Sequence, residues 1–148
     1  MKRTDGLIYA HGAELDHTGS DYTSAVWTSP LAGDVQVGGA LWNTWRSGRQ
    51  MRWQLRVNDT IVSQGDLFAN GVYDEASPFA LADGDGGPAA LTQTVQIGDR
   101  LELALVSMLS SGNLGDEVGV EFTIVSEPAT LSLLAVLALA MPRRRRSA

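Results

Sequence analysis

The 148-residue chain contains no cysteine. That excludes disulfides, thiolate metal sites and cysteine nucleophiles, and by itself it assigns no redox compartment. Histidine is almost as scarce, with His11 and His17 the only two. General acid–base chemistry near neutral pH therefore has few candidates. Basic residues are few before the C-terminal stretch. Residues 1–125 hold seven Lys and Arg against sixteen Asp and Glu, a net −9 within a total of −6. A surface that acidic repels phosphate, so nucleic acid is not expected as a partner. No apolar stripe of helical period appears before residue 126, and no motif calls for a cofactor.

Period-two patterning fills that space. Leu7 to Ala10 allows one short strand in an otherwise irregular stretch, 1–21. Ala25-Val26-Trp27 reads as a strand ended by Pro30. Val35, Val37, Gly39, Leu41 and Trp45 share one parity, with Gln36, Gly38, Ala40 and Trp42 on the other. Met51, Trp53, Leu55 and Val57 alternate with Arg52, Gln54 and Arg56, the pattern of a half-buried strand with a charged outer face. Asn58-Asp59 is a two-residue turn into Thr60 to Gln64, forming a hairpin. Leu91, Val95 and Ile97 share a parity, as does Gln93, and Gly98-Asp99 turns the chain. Leu101, Leu103 and Leu105 then alternate with Arg100, Glu102 and Ala104. Val118, Val120, Phe122 and Ile124 alternate with Glu121 and Thr123. Seven or eight short strands predict an all-β fold, an antiparallel β-sandwich of jelly-roll type over 22–125. Its predicted core holds Trp53, Leu55, Val57, Leu103, Leu105, Val120 and Phe122. The stretch 69–90, rich in alanine, glycine and aspartate with two prolines, reads as a long loop, as does Ser110 to Glu117.

Few residues combine into a catalytic set. His11 and His17 flank Glu14 and Asp16 without the spacing that aims four ligands at one ion, so a solvated loop is the simpler reading. Asp74-Glu75 and Asp116-Glu117 are adjacent carboxylates, which point apart on a strand. Asp83 and Asp85, in Asp83-Gly84-Asp85-Gly86-Gly87, suit a hard cation, but a third ligand and a closing Glu are missing. No metal site is expected, and Asp83 and Asp85 are the weak candidates. Trp42 faces away from Val37 and Leu41. If the next strand pairs with its own, Arg52, Gln54 and Arg56 lie beside it. A Trp ring with planar hydrogen-bonding neighbours is a glycan platform. The alternative is a cross-strand Arg–Trp stack, and a bulge at Gly38-Gly39 would flip the face.

The chain ends in three parts: Ser126-Glu127-Pro128, an apolar run from Ala129 to Met141, and Arg143, Arg144, Arg145 and Arg146. No charge falls between Glu127 and Arg143, and the run has no polar face, which suits lipid. Four arginines on the cytoplasmic side would leave the preceding domain outside. Thirteen residues span only ~20 Å of the ~30 Å hydrocarbon core. Arginine snorkelling and bilayer thinning shorten the gap, and a core helix is the alternative.

This tail, 126–148, resembles the PEP-CTERM sorting signal of bacterial surface proteins. Glu127-Pro128-Ala129-Thr130-Leu131 matches the usual continuation, with Ser126 where the first proline is expected. The resemblance implies an exosortase-type processing enzyme as partner and a membrane helix over 129–141. It also implies export to the inner membrane with the ectodomain outside, then transfer to the cell surface or extracellular matrix. Trp27-Thr28-Ser29-Pro30, the Val57-Asn58 hairpin and Gly98-Asp99 look like the sandwich ectodomains that often precede such tails. Export needs a leader, and Leu7-Ile8-Tyr9-Ala10 is too short for one, so the expected start lies upstream of Met1. The expected function is a non-catalytic exported surface or matrix-associated protein without a cofactor. The alternative is a carbohydrate-binding module for exopolysaccharide, and an enzyme ranks third.

Overall fold

The computed structural model describes residues 8–11, 22–44, 51–67, 72–108 and 117–126, with 8–11 and Ser107 described by their backbone alone. Among these residues nine strands run β1 (Ile8–His11), β2 (Tyr22–Thr28), β3 (Gly33–Asn43), β4 (Met51–Val57), β5 (Thr60–Leu67), β6 (Phe79–Ala80), β7 (Thr92–Val95), β8 (Arg100–Ser107) and β9 (Glu117–Ser126). One sheet has the order β1-β9-β3-β6, with β7 also on β3, and the other is β2-β8-β4-β5. Every pairing is antiparallel. The all-β expectation is correct. Among the described residues the helical pieces are two single turns, Leu81–Asp83 and Pro88–Leu91. No helix there is long and apolar enough to cross a membrane, and Ala129 to Met141 lie outside the described residues.

The alternation sets the two inner faces. Met51, Trp53 and Leu55 of β4 and Leu101, Leu103 and Leu105 of β8 face Val35, Val37 and Leu41 of β3 and Val118 and Val120 of β9 in one buried cluster. Val57 and Phe122, expected in the core, are half-buried and pack against its edge. β8 departs from simple alternation. It lies between β2 and β4, and Ala104 and Glu102 on its outer face are buried as well.

The β4–β5 hairpin turns on Asn58 and Asp59, whose φ values of 46° and 68° define the left-handed pair of a type I′ turn. Beyond it the register shifts. Arg56 faces Ile61 but Leu55 faces Ser63, leaving Val62 as a bulge. The bulge turns Ser63, Gly65 and Leu67 inward, and β5 runs on to Leu67 rather than ending at Gln64.

Three further expectations change. β1 pairs with β9, so a domain boundary at residue 22 leaves out a strand of the sheet. Ile97 is exposed in the turn from Gln96 to Asp99, while Leu91 and Val95 are buried. Much of 69–90 is packed structure. From it, Phe79 and Leu81 enter the core, Phe79 stacks edge-on against Trp53 and Tyr73, and Gly84 lies against the Trp53 ring.

One end of the sandwich is tied by a polar knot. Asp99 Oδ2 accepts the Gln96 N–H at 2.7 Å and Oδ1 accepts from the Asn58 amide at 2.9 Å. Asn58 Oδ1 accepts the Arg100 N–H, and the Ser29 N–H donates to the Asp99 carbonyl. The Gln96 bond first, and the Asn58 bond second, hold the Asp99 carboxyl below the usual carboxylate range. A depressed folded pKa contributes stability that is present above the unfolded value of about 4 and is lost as pH falls through the folded value. The stability gap between the wild type and Asp99→Ala, from urea unfolding at a series of pH values, should be constant above about pH 5 and narrow on acidification below about pH 4. A gap independent of pH would contradict this.

Candidate functional site: the outer face of the β2-β8-β4-β5 sheet

Period two and the Val62 bulge together assemble this face. β4 sends Arg52, Gln54 and Arg56 outward, and the shifted register sets Asp66 opposite Arg52 and Gln64 opposite Gln54. Arg52 Nε meets Asp66 Oδ1 at 2.7 Å and Nη2 meets Oδ2 at 3.0 Å, a bidentate pair. That hydrogen bond, and then the Asp66 charge, raise the Arg52 pKa further. Gln54 Nε2 donates to Gln64 Oε1 at 3.3 Å. The Arg56 guanidinium donates twice to Gln54 Oε1, at 3.2 and 2.6 Å, and its Cζ stands 4.5 Å from the centre of the Tyr22 ring. Below lies Ala104, fully buried, paired with Ser24 and Gln54. Glu102 sits in register between Val26 and Arg56, and is only 4% exposed.

The result is a strip of planar groups: two guanidinia, two amides and a phenol ring. Such a surface can stack on a flat apolar face and hydrogen-bond a row of hydroxyls. It can equally satisfy itself, and the bonds above do that within the free protein.

Trp42 is not part of it. β4 pairs with β8 and β5, not with β3, so Trp42 belongs to the other sheet. The condition for a Trp42 platform fails, because the chain changes sheet between Asn43 and Met51. Trp42 does face away from the core, but it is 5% exposed and lies over Gly119, its cross-strand partner, where any Cβ would strike the ring. Tyr22, Gln64 and Asp66 are the members that sequence reasoning missed.

Two of the other candidates, Asp85 and Asp74, have structural partners. Asp85 Oδ1 accepts the Gln64 N–H at 2.8 Å while its own N–H donates to the Gln64 carbonyl, extending the edge of β5. Asp83 is exposed on the neighbouring turn. Asp74 Oδ1 accepts the N–H groups of Ala76 and Ser77 in a local turn. Glu117 opens β9 opposite His11. Glu14, Asp16, His17 and Asp116 lie outside the described residues, as do the sorting-motif residues Glu127 and Pro128 and the arginines 143–146. Among the described residues no three His, Asp or Glu are grouped to hold a metal ion.

No protein-family model matches the chain, and no curated protein matches it. A solved structure, a novel beta-glucosidase from Paenibacillus barengoltzii, aligns over 76% of this chain at 15% identity with a TM-score of 0.34. The alignment spans 10% of that protein's length, and a likeness at this level assigns no activity.

The burial of Trp42 gives a direct expectation. Trp42→Ala should cost about 3–5 kcal/mol and lower the melting temperature clearly. An unchanged melting temperature would mean that the ring is not packed on Gly119.

Proposed function

We propose that this chain is an exported, non-catalytic surface or matrix protein whose β-sandwich is delivered by a C-terminal sorting tail of PEP-CTERM type. The observation that carries the proposal is the order of parts after the last strand: Glu127-Pro128, an uncharged run over 129–141, then Arg143 to Arg146. The fold supports it in one respect. Among the described residues β9 is the last strand and runs to Ser126, paired with Val35, and the Glu-Pro motif follows it in the sequence. The strand order, β1-β9-β3-β6 against β2-β8-β4-β5, supports reading the sandwich as a jelly roll of interleaved Greek keys.

Each part of the tail acts at its own step. The apolar run inserts, the arginines keep their end cytoplasmic, and Glu127-Pro128 offers an extended grip to an exosortase-type enzyme. The test is expression behind a working export signal in a host with an exosortase, following size and membrane fraction. Glu127→Ala with Pro128→Ala should leave insertion intact and the full-length form in the membrane. Replacing the four arginines with glutamate should disturb topology. Equal cleavage of the wild type and the double alanine form would reduce the tail to an anchor.

A second reading, a polysaccharide-binding module, draws on the strip of Tyr22, Arg52, Gln54, Arg56 and Gln64. On that reading Tyr22→Ala with Arg56→Ala weakens retention on exopolysaccharide at least tenfold with little change in melting temperature. Undiminished retention excludes the strip.

A further inference from the structure

β2 closes the β2-β8-β4-β5 sheet on one side, and among the described strands only β8 pairs with it. The side of β2 turned away from β8 can be identified from the hydrogen bonds at its end. The Ser29 N–H donates to the Asp99 carbonyl and the Ser29 carbonyl accepts from Gly98, so Ser29 points its backbone groups toward the β8 side. Stepping back by two, Trp27, Ala25 and Thr23 do the same. Tyr22, Ser24, Val26 and Thr28 therefore direct their N–H and C=O groups away from the sheet. Among the described residues no second strand pairs along this edge. Among the described residues β1 pairs with β9 from Glu117 to Val120, and a cleft of about 200 Å³ lies between Ala25, Val26 and Trp27 on one lip and Phe122 and Ile124 on the other. Val26 is 47% exposed and Val125 is 62% exposed.

Edge strands are ordinarily guarded by lysine, proline or a bulge. Tyr22-Thr23-Ser24-Ala25-Val26-Trp27-Thr28 has none of these, and its ladder with β8 is regular throughout. We propose that β2 is a self-association edge, pairing antiparallel with β2 of a second copy of this chain across a two-fold axis, so that two four-stranded sheets become one. Two arguments select a copy over another partner. The first is charge: in an acidic chain of net −6, this strand carries no charged residue, so two copies meet there without like-charge repulsion. The second is register. Full overlap of Tyr22–Thr28 with itself sets Tyr22 opposite Thr28 and Ser24 opposite Val26. Outward-facing groups then meet outward-facing groups, making about eight hydrogen bonds. Ala25 meets Ala25 on the axis as a pair without direct hydrogen bonds, with Cα atoms about 4.5 Å apart.

That register makes the proposal testable in a chain with no cysteine of its own. The full chain is kept in mild detergent. Its mass is measured by analytical ultracentrifugation, and single-cysteine forms are oxidised gently. The expected result is a dimer in which Ala25→Cys crosslinks nearly completely, since its geometry suits a disulfide. Thr28→Cys should not crosslink, because its copies lie about 20 Å apart. Val26→Pro, which removes an outward N–H and leaves the β8 ladder alone, should raise the dimer dissociation constant at least tenfold while the far-ultraviolet circular dichroism is retained. If that variant misfolds, the cysteine pair decides. A monomeric wild type at about 100 µM overturns the proposal. So do equal crosslinking at residues 25 and 28 and a dimer that contains no Ala25 disulfide, either of which places the contact elsewhere.

Discussion

The Trp53 indole lies at the centre of the sandwich because two glycines leave room for it. A Cβ on Gly65 would stand 2.7 Å from Trp53 Nε1, and one on Gly84 would stand 2.5 Å from Cη2. Neither glycine has a positive φ, so the requirement is for space and not for an unusual backbone. Phe79 closes the pocket edge-on, its centroid 5.8 Å from the indole, and Tyr73 stacks on Phe79 in turn. The indole N–H has no hydrogen-bond partner among the described residues. Leaving such a donor unmade costs about 1–3 kcal/mol, whereas losing a buried Trp costs about 3–5 kcal/mol, so packing outweighs the orphaned donor.

That packing ties distant parts of the chain together. Gly65 comes from β5, Gly84 from the turn after Leu81–Asp83, and Phe79 from the two-residue strand that pairs with β3. The described part of the connection between β5 and β7, residues 72–91, is thus a wedge between the sheets and not a free loop. Asp85 fixes the wedge to the edge of β5 through Gln64, and the Gly86 N–H reaches Ser63 Oγ at 3.2 Å. Asp85 and Gly86 in the acidic glycine-rich sequence thus have a structural use there.

Strand existence and inner-face parity were legible in the sequence because each depends on nearest neighbours alone. Met51 to Val57 and Val118 to Ile124 announce one buried face by alternation, and Asn58-Asp59 announces its turn. Strand partnership was not legible. Nothing in β3 or β4 says that the chain changes sheet between Asn43 and Met51, and that one step separates Trp42 from Arg52, Gln54 and Arg56. The Val62 bulge hid the rest of the polar strip. A hairpin without it sends Gln64 and Asp66 inward, while the observed register sends them outward to meet Gln54 and Arg52. Burial of Glu102 and Ala104 depends on the strands paired on both sides of β8, a long-range property. The motif, apolar run and arginines of the tail stand on sequence alone.

The account rests on Trp53 being sealed from water by its glycine and phenylalanine neighbours. Hydrogen exchange at its indole N–H, followed by nuclear magnetic resonance, tests this directly, because that proton has no hydrogen-bond partner among the described residues and burial is what protects it. The account predicts exchange only through global unfolding, at the rate of the slowest amides of β4 and β8. Exchange as fast as that of the half-exposed Trp27 would contradict it.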